Sequence, residues 1–318
     1  MHISAKTLDD LLHDVFELLL NSPNRISPSK GDAREEIGVL LELTNPRARL
    51  SRTETRGRPF SCLGEFLWYL AYSDDLDFIS YYLPYYGEIY KKGQPVDGAY
   101  GPRFINMRGQ DQVANVVKIL RKPDSRRAVI QLFNAEDISQ QHDDTPCTCT
   151  LQFMNRSGKL HMLTNMRSND AFLGLPHDVF SFTMLQEVIA RTVDVELGTY
   201  KHAVGSLHLY ETNTEKAEQF LKEGWQETTN PMPEMPLGDP WLSIVRLLEA
   251  ESEIRGGRGI QIFNLGLDPY WADLVRLLQV FAIPITGDKK EIEKIKSEMY
   301  SDVYKLYINQ RQVRMVTA

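Results

Sequence analysis

The stretch from Val179 to Val195 constrains this chain more than any other, because its apolar residues recur at helical spacing over a length that ordinary strands do not reach. A helix of that character needs cover on most of its circumference and belongs at the centre of a core. Three segments that alternate or run apolar with β-branched residues read as strands: Arg127 to Phe133, Cys149 to Met154 and Leu160 to Thr164. Asn155-Arg156-Ser157-Gly158 joins the last two as a hairpin turn. Upstream, Thr7 to Asn21 reads as an amphipathic helix, Ser22 to Gly31 as a loop and Ile37 to Leu43 as a strand. A basic, polar stretch from Asn45 to Pro59 leads into CLGEFLWYL, a buried helix carrying one carboxylate, Glu65; Leu207 to Tyr210 resumes a strand. With 318 residues, 42% hydrophobic content, no internal repeat and no linker-like shift in composition, the expectation is an α/β (α+β) chain. A mixed β-sheet packed with helices would form one domain over residues 1–318.

The formal net charge of -7 gives no overall attraction to DNA or to an anionic membrane. An anionic partner must therefore be held by a local cluster of Arg or Lys, which suits a small phosphorylated ligand. The three cysteines, Cys62, Cys147 and Cys149, form no C-x-x-C pair, as expected of a reduced, cytoplasmic protein. None of the seven His stands in a metal-binding pattern, so no metal is expected. The N-terminus lacks the basic region and unbroken apolar run of a signal peptide, and no segment reaches the roughly 18 to 20 uninterrupted apolar residues of a bilayer span.

Thr145-Pro146-Cys147-Thr148 lies where a polar loop containing Asp143 and Asp144 enters a strand. A thiolate there would be a strong nucleophile, but an unperturbed Cys titrates near ~8.5 and needs cationic neighbours to work. Taken alone, a Cys such as Cys147 is more often a small buried hydrophobe than a nucleophile. Asn165-Met166-Arg167-Ser168-Asn169-Asp170, followed by Phe172-Leu173-Gly174-Leu175-Pro176-His177-Asp178, places Arg, Ser and backbone amides beside a Gly. That combination suits an oxyanion such as phosphate, or else a turn held by an Arg–Asp pair. Arg126 and Arg127 precede a strand whose alternation would send their side chains to opposite faces.

Taken in order, Glu65 in E-F-L-W-Y-L, Tyr100 in G-A-Y-G, then S-R-R, P-C, R-S-x-D, G-L-P and His208-Leu209-Tyr210 closely resemble the thymidylate synthase family over roughly residues 60 to 215. The resemblance implies a dimer of back-to-back sheets and a folate-dependent reaction on a pyrimidine nucleotide monophosphate, with 5,10-methylenetetrahydrofolate as co-substrate. Cys147 would add to C6 of the ring, Glu65 would organise water and proton transfers, and Tyr100 would join the catalytic set. Arg167 and Ser168 would hold the phosphate, with Arg126 and Arg127 reaching across the homodimer to the partner's phosphate. His208 and Tyr210 would bind the sugar hydroxyl. Asp170, Leu173 and Gly174 would meet the pterin. Where synthases carry an Arg in a phosphate loop, this chain has Pro28-Ser29-Lys30-Gly31, which leaves Lys30, Arg25 and Arg34 as alternatives, with a lean to Lys30. The C-terminal segment would be able to close the site.

Departures from the pattern point to a subgroup. Synthases place an Asn after G-L-P to read the uracil edge; this chain has Asp178. An Asn amide accepts from uracil N3–H and donates to O4, whereas cytosine offers an acceptor at N3 and a donor at N4. A protonated carboxyl donates to N3 and accepts from N4–H; an ionised one pairs with an N3 that has gained a proton. The bland alternative is that Asp178 caps the following helix. N-M-R-S-N-D, V-G-S-L-H-L-Y and C-T-x-T also look like the phage deoxycytidylate hydroxymethylase, and N-P-R-A-R-L-S is similar to the bacterial cytidylate hydroxymethylases typified by the mildiomycin pathway. The activity so implied is 5-hydroxymethylation of CMP or dCMP, with water rather than hydride quenching an exocyclic methylene. Thymidylate synthesis on dUMP and a catalytically silent nucleotide- or RNA-binding relative are the competing readings.

Overall fold

A computed structural model describes residues 1–139 and 144–317. Asp143 of the polar loop lies outside the described residues. In chain order the elements are β1 (His2–Ala5), α1 (Leu8–Asn21), β2 (Arg25–Ile26), β3 (Ala33–Leu43), α2 (Pro59–Leu70), α3 (Leu76–Tyr82), α4 (Tyr86–Ile89), α5 (Tyr100–Asn106), α6 (Gln112–Leu120) and β4 (Val129–Gln131). There follow β5 (Thr148–Arg156), β6 (Lys159–Asp170), α7 (Gly174–Thr192), β7 (Glu196–Tyr210), α8 (Thr214–Lys222), α9 (Trp241–Arg255), α10 (Pro269–Ala282), α11 (Lys289–Ser297) and α12 (Lys305–Thr317). One mixed sheet runs β1-β3-β7-β6-β5-β4, with β2 added to β3. β6 and β7 are parallel, so α7 is the crossover between them, while β5–β6 and β3–β7 are antiparallel.

Burial alternates along the central strands. Val39, Leu41 and Leu43 of β3, Leu160 and Met162 of β6, and Tyr200 and Val204 of β7 point into the core beneath α1 and α7. Leu40, Leu163, Asn165, Lys201 and Ala203 point the other way and stay partly exposed. α7 is buried from Leu175 to Arg191 and packs on α2 as well as the sheet, which is why its sequence is apolar on nearly every side. The C-terminal helices join the same body, α10 lying against α2 and α9.

Several boundaries differ from the sequence expectations. α7 begins at Gly174, because Pro176 falls in the first turn, where a backbone N–H has no helical partner to lose. Asp178 is therefore inside the helix and is not its cap. β7 starts at Glu196 and not at Leu207; its Lys, Gly and His residues obscure the alternation, but ladders on both sides hold it. The hairpin turn is Ser157-Gly158 alone, at φ 51° and 73°, matching the two-residue hairpin turns that suit strand twist. β4 begins only at Val129, so Arg126 and Arg127 precede the strand and alternation does not divide them.

The sheet also bends. Gly38 in β3 adopts φ 70° opposite Gly205 of β7, and a Cβ on Gly205 would stand 2.8 Å from the Arg167 carbonyl of β6. His202 pairs in register with Thr164, five residues short of Asn169, which a straight strand would set roughly 16 Å away. Yet His202 Nε2 lies 3.1 Å from Asn169 Oδ1, so the strand ends fold inward. That fold gathers the chemistry.

Candidate active site

Cys147 sits immediately before β5, and β6 fastens it in place. The Arg167 amide donates to the Cys147 carbonyl at 2.8 Å, while the Arg167 guanidinium donates to the carbonyls of Pro146 (3.0 Å) and Thr145 (2.8 Å). Burial pushes the Cys147 thiol up to about 11; Asp144 and Asp178 push the same way, against Arg167 and Lys30. At about 11 the thiol keeps its proton at neutral pH, because burial outweighs the two cations. Arg25 and Arg34 each lie 3.5 Å from Glu211 and donate to the carbonyls of Ser22 and Leu20. Lys30, by contrast, acts electrostatically on both Cys147 and Asp144, so of the three alternatives it is the one the fold brings to the thiol.

The parallel ends of β6 and β7 place Ser168 beside Ser206 and Asp170 beside His208. His208 is buried and meets the Tyr210 ring edge-on at 4.9 Å. Burial raises the Tyr210 phenol, helped by Asp170 and Cys147. Asp170 Oδ1 accepts from the amides of Phe172 (2.8 Å) and Leu173 (3.1 Å), fixing the turn into α7 and leaving Leu173 52% exposed. Gly174 leaves room at this turn: a Cβ there would reach within 3.0 Å of Asn169 Nδ2. Arg126 and Arg127 are exposed ahead of β4.

On the opposite wall, Glu65 of α2 accepts from Tyr69 Oη at Oε1 (2.9 Å) and meets His177 Nδ1 at Oε2 (2.7 Å). Burial opposes a charge on His177, but Cys62 and Glu65 outweigh it and bring the imidazole up to about 10. Tyr100 Oη accepts from both the amide (3.2 Å) and the hydroxyl (3.0 Å) of Thr148. Burial, with Asp178 and Cys147 nearby, keeps that phenol protonated, so its own hydrogen remains to be donated.

Asp178 has 9% exposure, and burial together with the Glu65 charge lifts its carboxyl to about 8, although Asn169 Nδ2 donates to its Oδ2 at 2.7 Å. At neutral pH it is a neutral acid with one hydrogen to give. Arg56, buried against the Phe172 ring at 4.8 Å, donates weakly to the Leu173 carbonyl, and its Nε finds no partner among the described residues. Sequence reasoning passed over Arg56, His177 and Asn169. The last two stood inside quoted motifs; Tyr200 and His202 carried no signal because that part of β7 did not read as a strand.

A buried thiol with Arg167 and Lys30 near it, the buried carboxyls of Glu65 and Asp178 and two polar strand ends thus come together on a mixed α/β scaffold. The chain belongs to the thymidylate synthase family, whose sequence profile, described as Thymidylate synthase, matches residues 52–249. It is 32% identical over 132 residues to the thymidylate synthase of Mycoplasma mobile, covering 41% of this chain and 46% of that protein. With the thymidylate synthase of Listeria monocytogenes serotype 4a the identity is 35% over 130 residues, covering 41% and 40%. The chain therefore matches less than half the length of these relatives.

Proposed function

We propose that this chain catalyses folate-dependent 5-hydroxymethylation of a cytosine nucleotide, CMP or dCMP, through a bond between Cys147 Sγ and C6 of the ring. The observation that carries the reading is Asp178, whose buried carboxyl, at about 8, keeps its proton at neutral pH. A neutral carboxyl whose hydrogen sits on the oxygen facing N3 donates to cytosine N3 and accepts from N4–H, whereas in that same arrangement uracil N3–H would meet the carboxyl O–H. Each mismatched buried hydrogen bond costs on the order of 1–3 kcal/mol.

Lys30, Arg167 and Ser168 hold the phosphate, completed by Arg126 and Arg127 of a second copy in a symmetric homodimer. His208 and Tyr210 take the sugar hydroxyl. The thiol loses its proton as Sγ bonds to C6, which makes C5 nucleophilic. When bound, 5,10-methylenetetrahydrofolate would supply the one-carbon unit to C5 and leave as tetrahydrofolate, and loss of the C5 proton would leave an exocyclic methylene open to water. The partnerless Arg56 Nε, with Phe172, the exposed Leu173 and the Asp170 turn, fits a flat co-substrate with an anionic tail. Glu65, engaged by His177 and Tyr69, positions a water and accepts its proton as the new C–O bond forms. Expulsion of Cys147 then frees the product.

The similarity to thymidylate synthases favours a second reading, methylation of dUMP. Incubation with methylenetetrahydrofolate and each of CMP, dCMP, UMP and dUMP separates them. A product heavier by one hydroxymethyl group on cytosine, without dihydrofolate absorbance, is expected; a methylated uracil nucleotide with dihydrofolate would replace this reading by the second.

A further inference from the structure

A chain of hydrogen bonds crosses the interior from β7 to Asp178. Tyr200 Oη lies 2.7 Å from His202 Nδ1, His202 Nε2 lies 3.1 Å from Asn169 Oδ1, and Asn169 Nδ2 lies 2.7 Å from Asp178 Oδ2. All four side chains are buried. Donor and acceptor rules give the chain one direction. An amide nitrogen only donates, so Asp178 Oδ2 accepts; an amide oxygen only accepts, so His202 Nε2 carries the hydrogen. Burial brings the His202 pKa down to about 3, leaving a neutral ring with a single N–H. Its Nδ1 is then an acceptor, and the Tyr200 hydroxyl donates to it. The tautomer of His202 and the amide orientation of Asn169 are thus locked to each other, and Tyr200 supplies the hydrogen that Nδ1 accepts.

We propose that Tyr200, His202 and Asn169 are positioning residues that hold Asp178 Oδ2 as an acceptor and leave Oδ1 to carry the proton, so that the carboxyl presents one fixed donor and one fixed acceptor to the edge of a cytosine ring. The proposal rests on the cytosine reading above. If the chain ran the other way, the Asn169 amide would be turned over and Oδ2 would have to donate to it. Oδ1 would then be a bare acceptor facing the acceptor N3, and the match with cytosine would be lost. The tight fit around Asn169, where even a Cβ on Gly174 would crowd Nδ2 at 3.0 Å, leaves the amide little freedom beyond these two orientations.

Tyr200→Phe leaves the His202 Nδ1 acceptor without its donor and keeps the ring. In that variant kcat/KM for the cytosine nucleotide should fall relative to the uracil nucleotide by about tenfold, a change worth about 1.4 kcal/mol. His202→Gln offers Asn169 Oδ1 an amide N–H that needs no hydroxyl at position 200, so adding it to Tyr200→Phe should restore the preference. A purely structural role lowers both nucleotides together and leaves the ratio unchanged. Kd values for CMP and UMP in a Cys147→Ala background, with melting temperatures, give the same ratio independently of turnover. If wild type prefers cytosine while Tyr200→Phe keeps its ratio, or if His202→Gln restores nothing, the relay is overturned and the cytosine reading survives. A wild-type preference for uracil overturns both.

Discussion

Cys147 and Asp178 share one physical circumstance: each is an acid whose pKa is raised by burial. For Cys147 the consequence is measurable with iodoacetamide, whose attack follows the thiolate fraction. Labelling should be slow at pH 7 and rise about tenfold per pH unit toward pH 11. Arg167→Ala removes a charge that favours the thiolate and should slow labelling at every pH below that. Cys147→Ser should abolish turnover while nucleotide affinity, which the proposed function assigns to Lys30 and Arg167, stays near wild type. For Asp178 the folded pKa of about 8 lies above the unfolded value near ~3.9, so the folded state holds the extra proton between them. This residue's contribution is most favourable at low pH and declines as pH rises from about 4 to about 8. Asn does not titrate. The melting temperature of Asp178→Asn relative to wild type should therefore climb from pH 5 to pH 8 and level off above, while its base preference moves toward uracil nucleotides. A difference flat with pH would show that the native carboxyl is not buried as a neutral acid.

At the scale of elements, α2 carries Glu65 toward the pocket on one side and packs against α3 on another. Gly64 makes that contact possible: a Cβ there would stand 2.1 Å from Tyr82 Cγ. Tyr82 is itself anchored, since its hydroxyl donates to Glu251 of α9 at 2.9 Å. Gly64→Ala gains helix propensity of roughly 1 kcal/mol but must displace an aromatic ring from a close-packed core, an overpacking cost of about 1–3 kcal/mol. The net expectation is destabilisation by up to about 2 kcal/mol, read as a lower urea midpoint at unchanged slope. The shift of α2 should also loosen Glu65 from His177, so kcat should fall more than nucleotide affinity does.

For the whole molecule, α1 and α7 cover one face of the central strands, while Leu163, Asn165, Lys201 and Ala203 on the other remain partly exposed. That open face, and the exposed Arg126 and Arg127, are what a homodimer with shared phosphate sites would use. Mixing Cys147→Ala protein with Arg127→Ala protein, each inactive alone, should restore activity in heterodimers, because one hybrid site receives both intact residues. Verified heterodimers without any rescue would mean that each subunit completes its own phosphate site.

Much of this arrangement was legible in the residues. The apolar period of α7, the hairpin before β6, the buried setting of Glu65 and the Cys147, Arg167 and Asp178 motifs all follow from local pattern and side-chain chemistry, which a chain carries wherever it goes. The start of α7 at Gly174 and the length of β7 did not, because Gly, Pro, Lys and His there have weak or contrary propensities that pairing and packing override. Nor could any spacing show that His202 reaches Asn169, since the contact exists only where the sheet bends between them. The titration of Asp178 and Cys147 likewise belongs to the folded interior: the sequence determined which acids are present, and the tertiary structure, by removing water from around them, decided which would keep their protons.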